Sequence, residues 1–243
     1  MTTINSLFPA KLQPPQLPAR VVSRHRLVER LHEHLDRRLT LVSAPAGDGK
    51  TTLLADFARD AQFPVAWLSL DASDRDLTTF ASHLVAALQR PFPALGARTL
   101  AALGGSDLNP RVVATALVSE IDEYAADFFV LVLDDYHEVD DADAVNEVVD
   151  LLLANLPDHC RLVLASRTIP GQLHLARLAA RMQAAGLGDA ELSFTRDEVA
   201  EFVTAANHTD VSEDEADRWL QIGRHTSELQ SLAYLVCRLL LEK

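Results

Sequence analysis

The sequence is poor in lysine: of its 243 residues only Lys11, Lys50 and Lys243 are lysine, so nearly all of its permanent cations are arginine. Cysteine is almost as scarce. Cys160 and Cys237 form no metal-ligand spacing, which excludes a zinc module and a disulfide-stapled fold and points to a reducing cytosol. Long apolar runs are missing too. Phe128 to Leu133 and Leu151 to Ala154 fall far short of the ~20 residues that cross a bilayer. The N-terminus lacks a charged-then-apolar order, so no secretory signal is expected; the chain is placed in the cytoplasm, with no membrane partner. Basic charge is outnumbered, 22 Lys plus Arg against 35 Asp plus Glu for a net −13, so this stretch cannot by itself grip a nucleic-acid backbone. What is present, 48% hydrophobic and 23% charged residues, is the profile of a globular protein with a full core.

Short apolar runs alternate with helical periodicity. After a Pro-rich lead (Pro9 to Pro18), Arg24 to Arg38 has helical spacing, with Leu27, Leu31 and Leu35 on one face. Leu39 to Ala44 reads as a buried strand stopped by Pro45 and Gly47. The pattern then predicts a helix over Lys50 to Ala61, a strand over Val65 to Leu70 and a helix over Asp76 to Arg90. The segment carrying Pro91, Pro93, Gly104 and Gly105 reads as loop. Asn109 and Pro110 form an N-cap and first-turn pair for a helix to about Tyr124. Phe128 to Leu133 is apolar on both faces, as a central parallel strand is. A helix over about Ala142 to Leu156, a strand over Arg161 to Ser166, a helix over Leu173 to Ala185 and a short fifth strand over Glu191 to Phe194 complete the pattern. This predicts a doubly wound α/β domain with a mostly parallel sheet. Thr195 with Glu198, and Ser212 with Glu215, are capping-box pairs that open the helices of a second, helical domain. The expected division is a lead over 1–38, a nucleotide-binding domain over 39–194 and the start of the helical domain over 195–221.

Three motifs carry chemistry. Ala44-Pro-Ala-Gly-Asp-Gly-Lys-Thr-Thr52 follows the first strand and opens a helix; it matches G-x-x-x-x-G-K-[ST] with Ala44 in place of the first glycine. Gly47 and Gly49 let the backbone bend so that the N–H groups of Ala46 to Thr52, Asp48 among them, face one cluster of phosphate oxygens, and the helix adds its positive end. Lys50 can reach the β- and γ-phosphates and the Thr51 hydroxyl can ligate Mg²⁺. A lysine kept here in an arginine-dominated chain indicates that a compact charge is needed. Second, Phe128 to Leu133 ends in Asp134-Asp135. Asp134 is assigned to the metal and Asp135 to polarising the attacking water, while Glu138, Asp140, Asp141 and Asp143 read as a solvated face. Third, Arg161 to Ser166 ends in Arg167. If the fourth strand lies between the first and third, Arg167 points at the γ-phosphate; taken alone it would read as a surface arginine.

The histidines say less. His32 and His34, two apart on a helix, face different ways. His83, His159, His174 and His208 have no zinc-ligand spacing. His137, just beyond the Asp pair, is the one histidine to consider for a role near the nucleotide. Cys160 opens a buried strand and reads as inert.

SAPAGDGKTT, LVLDDYH and LVLASR, in that order, resemble the nucleotide-binding domain of STAND-class signalling ATPases, in particular the maltose-regulon activator type and the large ATP-binding LuxR-type regulators. That group commonly carries Ala or Ser at the first glycine position, which accommodates Ala44. The resemblance runs from about Lys11 to Gln221. It implies a P-loop NTPase three-layer sandwich followed by the start of a helical domain. It further implies binding of ATP or ADP with Mg²⁺, contact of Val22 with adenine, and reach of Arg24 toward the phosphates. A slow, timer-like hydrolysis, self-association of the ATP form, and an inducer and DNA that act through later domains are implied likewise. Two other readings remain open: a P-loop kinase acting on a small molecule, against which stands the lack of a clustered arginine lid, and a nucleotide-holding scaffold without meaningful hydrolysis. From Ile222 the text IGRHTSELQSLAYLVCRLLLEK resembles a translated sequencing adapter, so residues 222–243 are expected to be non-native and the natural chain to be a fragment cut near Gln221.

Overall fold

The computed structural model describes residues 9–17, 22–105 and 108–207. The Ser212–Glu215 pair, Cys237 and the stretch from Ile222 lie outside the described residues.

Five strands form one sheet: β1 (Leu39–Ser43), β2 (Val65–Ser69), β3 (Phe129–Asp134), β4 (Cys160–Ser166) and β5 (Ala184–Leu187). Their order is β2-β3-β4-β1-β5 and every pairing is parallel. β4 therefore lies between β1 and β3. Its register sets Ser43 opposite Ser166, which brings the ends of β1 and β4 level.

Strand side chains alternate between two cores, as the pleat requires. Phe129, Leu131 and Leu133 of β3 join Leu162 and Leu164 of β4 in one, while Val130, Val132, Val163 and Trp67 enter the other. The first core is covered by α3 (Leu77–Gln89), α5 (Pro110–Tyr124) and α6 (Asp143–Asn155), through residues such as Leu84, Leu117 and Leu152. The second is covered by α1 (His25–Glu33) and α2 (Lys50–Asp60), through Leu27, Leu31, Leu54 and Phe57. The architecture is a three-layer α/β sandwich of the P-loop NTPase kind.

Helix starts are capped largely as their sequences dictate. Asp76 accepts from the Thr79 N–H at 2.9 Å at the head of α3, and Asn109 accepts from the Arg111 N–H at 2.9 Å with Pro110 in the first turn of α5. The lead is held by charge. Lys11, in a single 3₁₀ turn over Pro9–Leu12, pairs with Asp74 at 2.6 Å and Asp71 at 2.9 Å, and the fully buried Asp74 also meets His83 Nδ1 at 2.6 Å.

Three expectations need correction. The stretch 91–105 is not all loop: α4 (Ala97–Leu103) forms there, its first N–H groups taken up by the buried Glu120 carboxylate at 2.8–3.1 Å. Gly96 makes the turn with φ +110°, and a Cβ there would stand 2.2 Å from Val85 Cγ1, so a glycine is required. The helix expected over Leu173 to Ala185 is only α7 (Leu175–Ala180), ended by Met182 in a left-handed conformation. The fifth strand is Ala184–Leu187 rather than Glu191 to Phe194, whose first residues close the short helix α8 (Asp189–Leu192) under a Glu191 carboxylate bonded to the Gly188 N–H. Tertiary pairing with β1 makes a strand of Ala-Ala-Gly-Leu, a sequence with little strand propensity of its own. The helix opened by Thr195 and Glu198 is α9 (Arg196–Asn207), and its reciprocal cap is present, at 2.9 and 3.3 Å.

Candidate functional site

The carboxyl ends of β1, β3 and β4 meet above the start of α2, the place where doubly wound sheets bind ligands. Between β1 and α2 the loop Ala44 to Gly49 turns through two left-handed glycines, Gly47 at φ 93° and Gly49 at φ 77°. Nothing approaches within 4 Å of a Cβ built on Gly49, so its glycine answers to backbone conformation and not to space. Ala44 is absent from the positive-φ residues, which explains why alanine serves where the general pattern has glycine. It is buried, and its N–H donates to the Ser166 carbonyl at 3.3 Å.

Lys50 is the first residue of α2 and is buried; its ammonium donates to the Ala44 and Pro45 carbonyls at 2.6 and 2.7 Å. Burial lowers its pKa, while Asp48 and Asp135 act in the opposite sense. The Thr51 hydroxyl donates to Asp134 Oδ1 at 3.2 Å. Asp134, 1% exposed at the tip of β3, also accepts from the Asp135 N–H at 3.0 Å. Burial first, and the neighbouring Asp135 second, push its pKa up to about 6. Asp135 takes a left-handed conformation, φ 57°, with a half-exposed carboxylate. Arg167 is exposed beyond β4, and its charge lowers the pKa of both Lys50 and His137. His137 is held toward its neutral form by burial first; its ring nitrogens stand 3.8 Å from Asp135 and 3.4 Å from Glu138. Sequence order thus converges: Lys50, Thr51, Asp134, Asp135, His137 and Arg167 share one end of the sheet. Ala46 and Thr52 are exposed on the rim of the loop, and Asp48 is half-buried.

Val22 is half-buried in the segment before α1. Arg24 is buried and its Nη2 donates to the Leu192 and Ser193 carbonyls at 2.7 and 3.1 Å and to Glu198 at 3.2 Å, with the guanidinium 4.3 Å from the Phe194 ring centroid. Arg26 converges on the same Glu198 carboxylate at 3.1 Å. This double clamp of lead on α9 is not apparent in the sequence, where Glu198 shows only as a capping residue.

The donors present fit a magnesium nucleotide. Arg24 Nε and Nη1, Asp48 Oδ2 and both His137 nitrogens are buried without a hydrogen-bond partner, as are His34 Nδ1 and His159 Nε2 elsewhere in the chain. Asp134 is a buried carboxylate whose charged form is disfavoured until a cation compensates it. Among the described residues no three His, Cys, Asp or Glu side chains cluster to hold a metal. Thr51 and Asp134 alone make a site that phosphate oxygens and water would complete, which is how Mg²⁺ is usually bound.

A parallel sheet of this order with a phosphate loop after β1, an interior strand, defines a P-loop NTPase. Residues 20–169 match the AAA ATPase domain family, and the chain belongs to that family. It is 36% identical over 199 residues to the HTH-type transcriptional regulator MalT of Serratia proteamaculans (strain 568), covering 81% of this chain and 21% of that protein. It is likewise 36% identical over 200 residues to MalT of Yersinia enterocolitica, with the same coverage. The chain spans about a fifth of the length of these curated relatives. Among solved structures, a STAND protein with a tetratricopeptide-repeat sensor from Pyrococcus horikoshii superposes with a TM-score of 0.59 at 15% identity, covering 87% of this chain and 29% of that one. A Walker-type ATPase of Pyrococcus abyssi gives 0.54 at 17% identity, covering 86% and 68%. At such identities these two neighbours attest the fold alone.

Proposed function

We propose that the chain is the nucleotide-binding switch region of a MalT-like, LuxR-type transcriptional activator, binding ATP and ADP with Mg²⁺ and hydrolysing ATP slowly. The observation that carries this reading is the 3.2 Å contact of Thr51 with Asp134 beside the buried Lys50 ammonium. When bound, the magnesium nucleotide supplies the phosphoryl group whose transfer to water ends the ATP state. The residues of the chain do the rest. The Ala46–Thr52 amides and Lys50 hold phosphate oxygens, Thr51 and Asp134 hold the metal, and the Asp135 carboxylate accepts a hydrogen bond from the attacking water and orients it. Val22 would border the base. Arg24 and Arg167 distinguish the two nucleotide states, since only contacts that differ between states can shift the switch.

In this reading residues 1–38 are the lead, 39–194 the nucleotide-binding domain and 195–221 the beginning of the helical domain. ATP favours a self-associating form in the cytoplasm. Inducer and DNA recognition belong to parts of the regulator outside this chain, in keeping with the helix-turn-helix designation of the MalT relatives. The test is titration calorimetry with MgATP and MgADP on the wild type and on Lys50→Ala. Loss of one buried cation's bonds to phosphate predicts an affinity lower by about 100-fold or more. Equal affinity in the two proteins would remove the assignment.

A further inference from the structure

A second cavity, of about 560 Å³, runs along α6 away from the phosphate loop. That volume falls in the range of small-molecule sites, roughly 300–1,000 Å³. Its lining includes the apolar Leu151 and Leu178 and side chains of both charges. Arg38, Arg111, Arg177 and Arg181 line it together with Asp143, Glu147 and Asp150 of α6.

Several of these charges are already paired, Arg38 with Asp158 at 3.4 Å among them. Glu147 is paired with Arg111 at 3.0 Å, and Asp150 accepts from the His174 N–H at 3.0 Å as well as meeting its ring. Arg177, in α7, and Arg181, just after it, have no hydrogen-bond or ion-pair partner for their side chains among the described residues. Two exposed guanidiniums on the lining of one cavity, in a chain of net charge −13, are suited to an anion, since planar donor forks match phosphate and carboxylate oxygens.

The inner end of the cavity reaches the nucleotide site through hydrogen bonds. Asn146, 3% exposed, lines it; Asn146 Nδ2 stands 3.4 Å from Gln172 Oε1 and donates to the Asp140 and Ala142 carbonyls at 3.0 and 2.9 Å. Asn146 Oδ1 accepts from the Tyr136 hydroxyl at 2.7 Å. Tyr136 is wholly buried between Asp135 and His137. A ligand that draws Gln172 or Asn146 into new bonds thus acts on the turn that carries Asp135.

We propose that this cavity is an effector site for a small molecule with an anionic head, held by Arg177 and Arg181, and a hydroxyl-bearing body that donates to the α6 carboxylates and to Gln172. Occupancy is coupled to the nucleotide site through Asn146 and Tyr136. The coupling rests on the proposed nucleotide binding; the site itself does not.

The probe is glucose 6-phosphate, which carries both features, with glucose and inorganic phosphate as its separate halves. Calorimetry on the full chain without nucleotide should show glucose 6-phosphate binding more tightly than either half. Lys50→Ala should leave that binding unchanged, and Arg177→Ala/Arg181→Ala should weaken it at least about 10-fold, the effect of one lost charge-assisted bond. No binding at millimolar probe, equal binding by the double variant, or loss in Lys50→Ala would each overturn the site. In the wild type the probe should shift ATP affinity about 5-fold or more, and Tyr136→Phe should bind the probe normally while losing that shift. A shift that persists in Tyr136→Phe overturns the route. A failure of ATP binding itself counts against the switch reading and leaves the calorimetry on the cavity standing.

Discussion

Thr51 and Asp134 meet across 3.2 Å although 83 residues separate them in the chain. The contact exists because β4 lies between β1 and β3, so the helix leaving β1 starts beside the tip of β3. One hydroxyl and one buried carboxylate are thereby fixed relative to Lys50 by the sheet itself and not by a mobile loop.

The first prediction concerns the cost of burying Asp134. Its pKa, pushed up to about 6, exceeds the usual aspartate value of about 4, so the folded, metal-free chain binds this proton more tightly than the unfolded chain does. The group's contribution to stability therefore falls as pH rises from about 4 to about 6 and stays low above that. Asp134→Asn should stabilise the chelator-treated protein by about 1–3 kcal/mol at pH 7.5 and by almost nothing at pH 4. Urea unfolding at the two values measures this. The same variant should lose the Mg²⁺ dependence of ATP binding.

Asp135→Asn tests the second carboxylate separately. It should bind MgATP within about 3-fold of wild type and slow single-turnover phosphate release by about 100-fold or more, as loss of a positioned base does. Unchanged release would move the water-polarising role elsewhere.

Glu120 carries a purely structural prediction. Its two oxygens accept from the N–H groups of Gly96, Arg98 and Thr99 and from the Thr99 hydroxyl, all within a buried site. Burial raises its pKa, but these bonds outweigh it and hold the carboxylate below the ordinary range. In Glu120→Gln an NH₂ must face two donors at one of the oxygens, and the expected loss is about 2–4 kcal/mol. Thermal unfolding checks it, and nucleotide binding well below the melting point should be unaffected.

Arg24 and Glu198 should prove coupled. A double-mutant cycle with Arg24→Ala and Glu198→Ala is expected to give about 1–3 kcal/mol of interaction energy, since either single change leaves a buried charge facing less compensation. Amide exchange in α9 should rise in both single variants. Additive effects would mean that the clamp is incidental.

Much of this was legible in the residues. The phosphate loop, the Asp pair and β4 ending in Ser-Arg are short runs whose periodicity and punctuation are local, and β4 does lie where Arg167 needed it. β5 was misread because Ala-Ala-Gly-Leu has no strand pattern, and pairing with β1 supplies what propensity lacks. α4 was hidden among prolines and glycines because its cap comes from Glu120, a residue of the following helix. The anchoring of Arg24 Nη2 on the Leu192 and Ser193 carbonyls, 168 and 169 residues away, is marked by no local motif.

The left-handed turn at Asp135 narrows what evolution can try there. Glycine would keep the shape and discard the carboxylate. Glutamate would keep a carboxylate but cost about 1–2 kcal/mol of backbone strain and reposition it by a methylene, and a β-branched side chain would fail on both counts. Aspartate alone satisfies conformation and acidity together, so variation at this codon should stay confined even in lineages that have abandoned turnover but kept the fold.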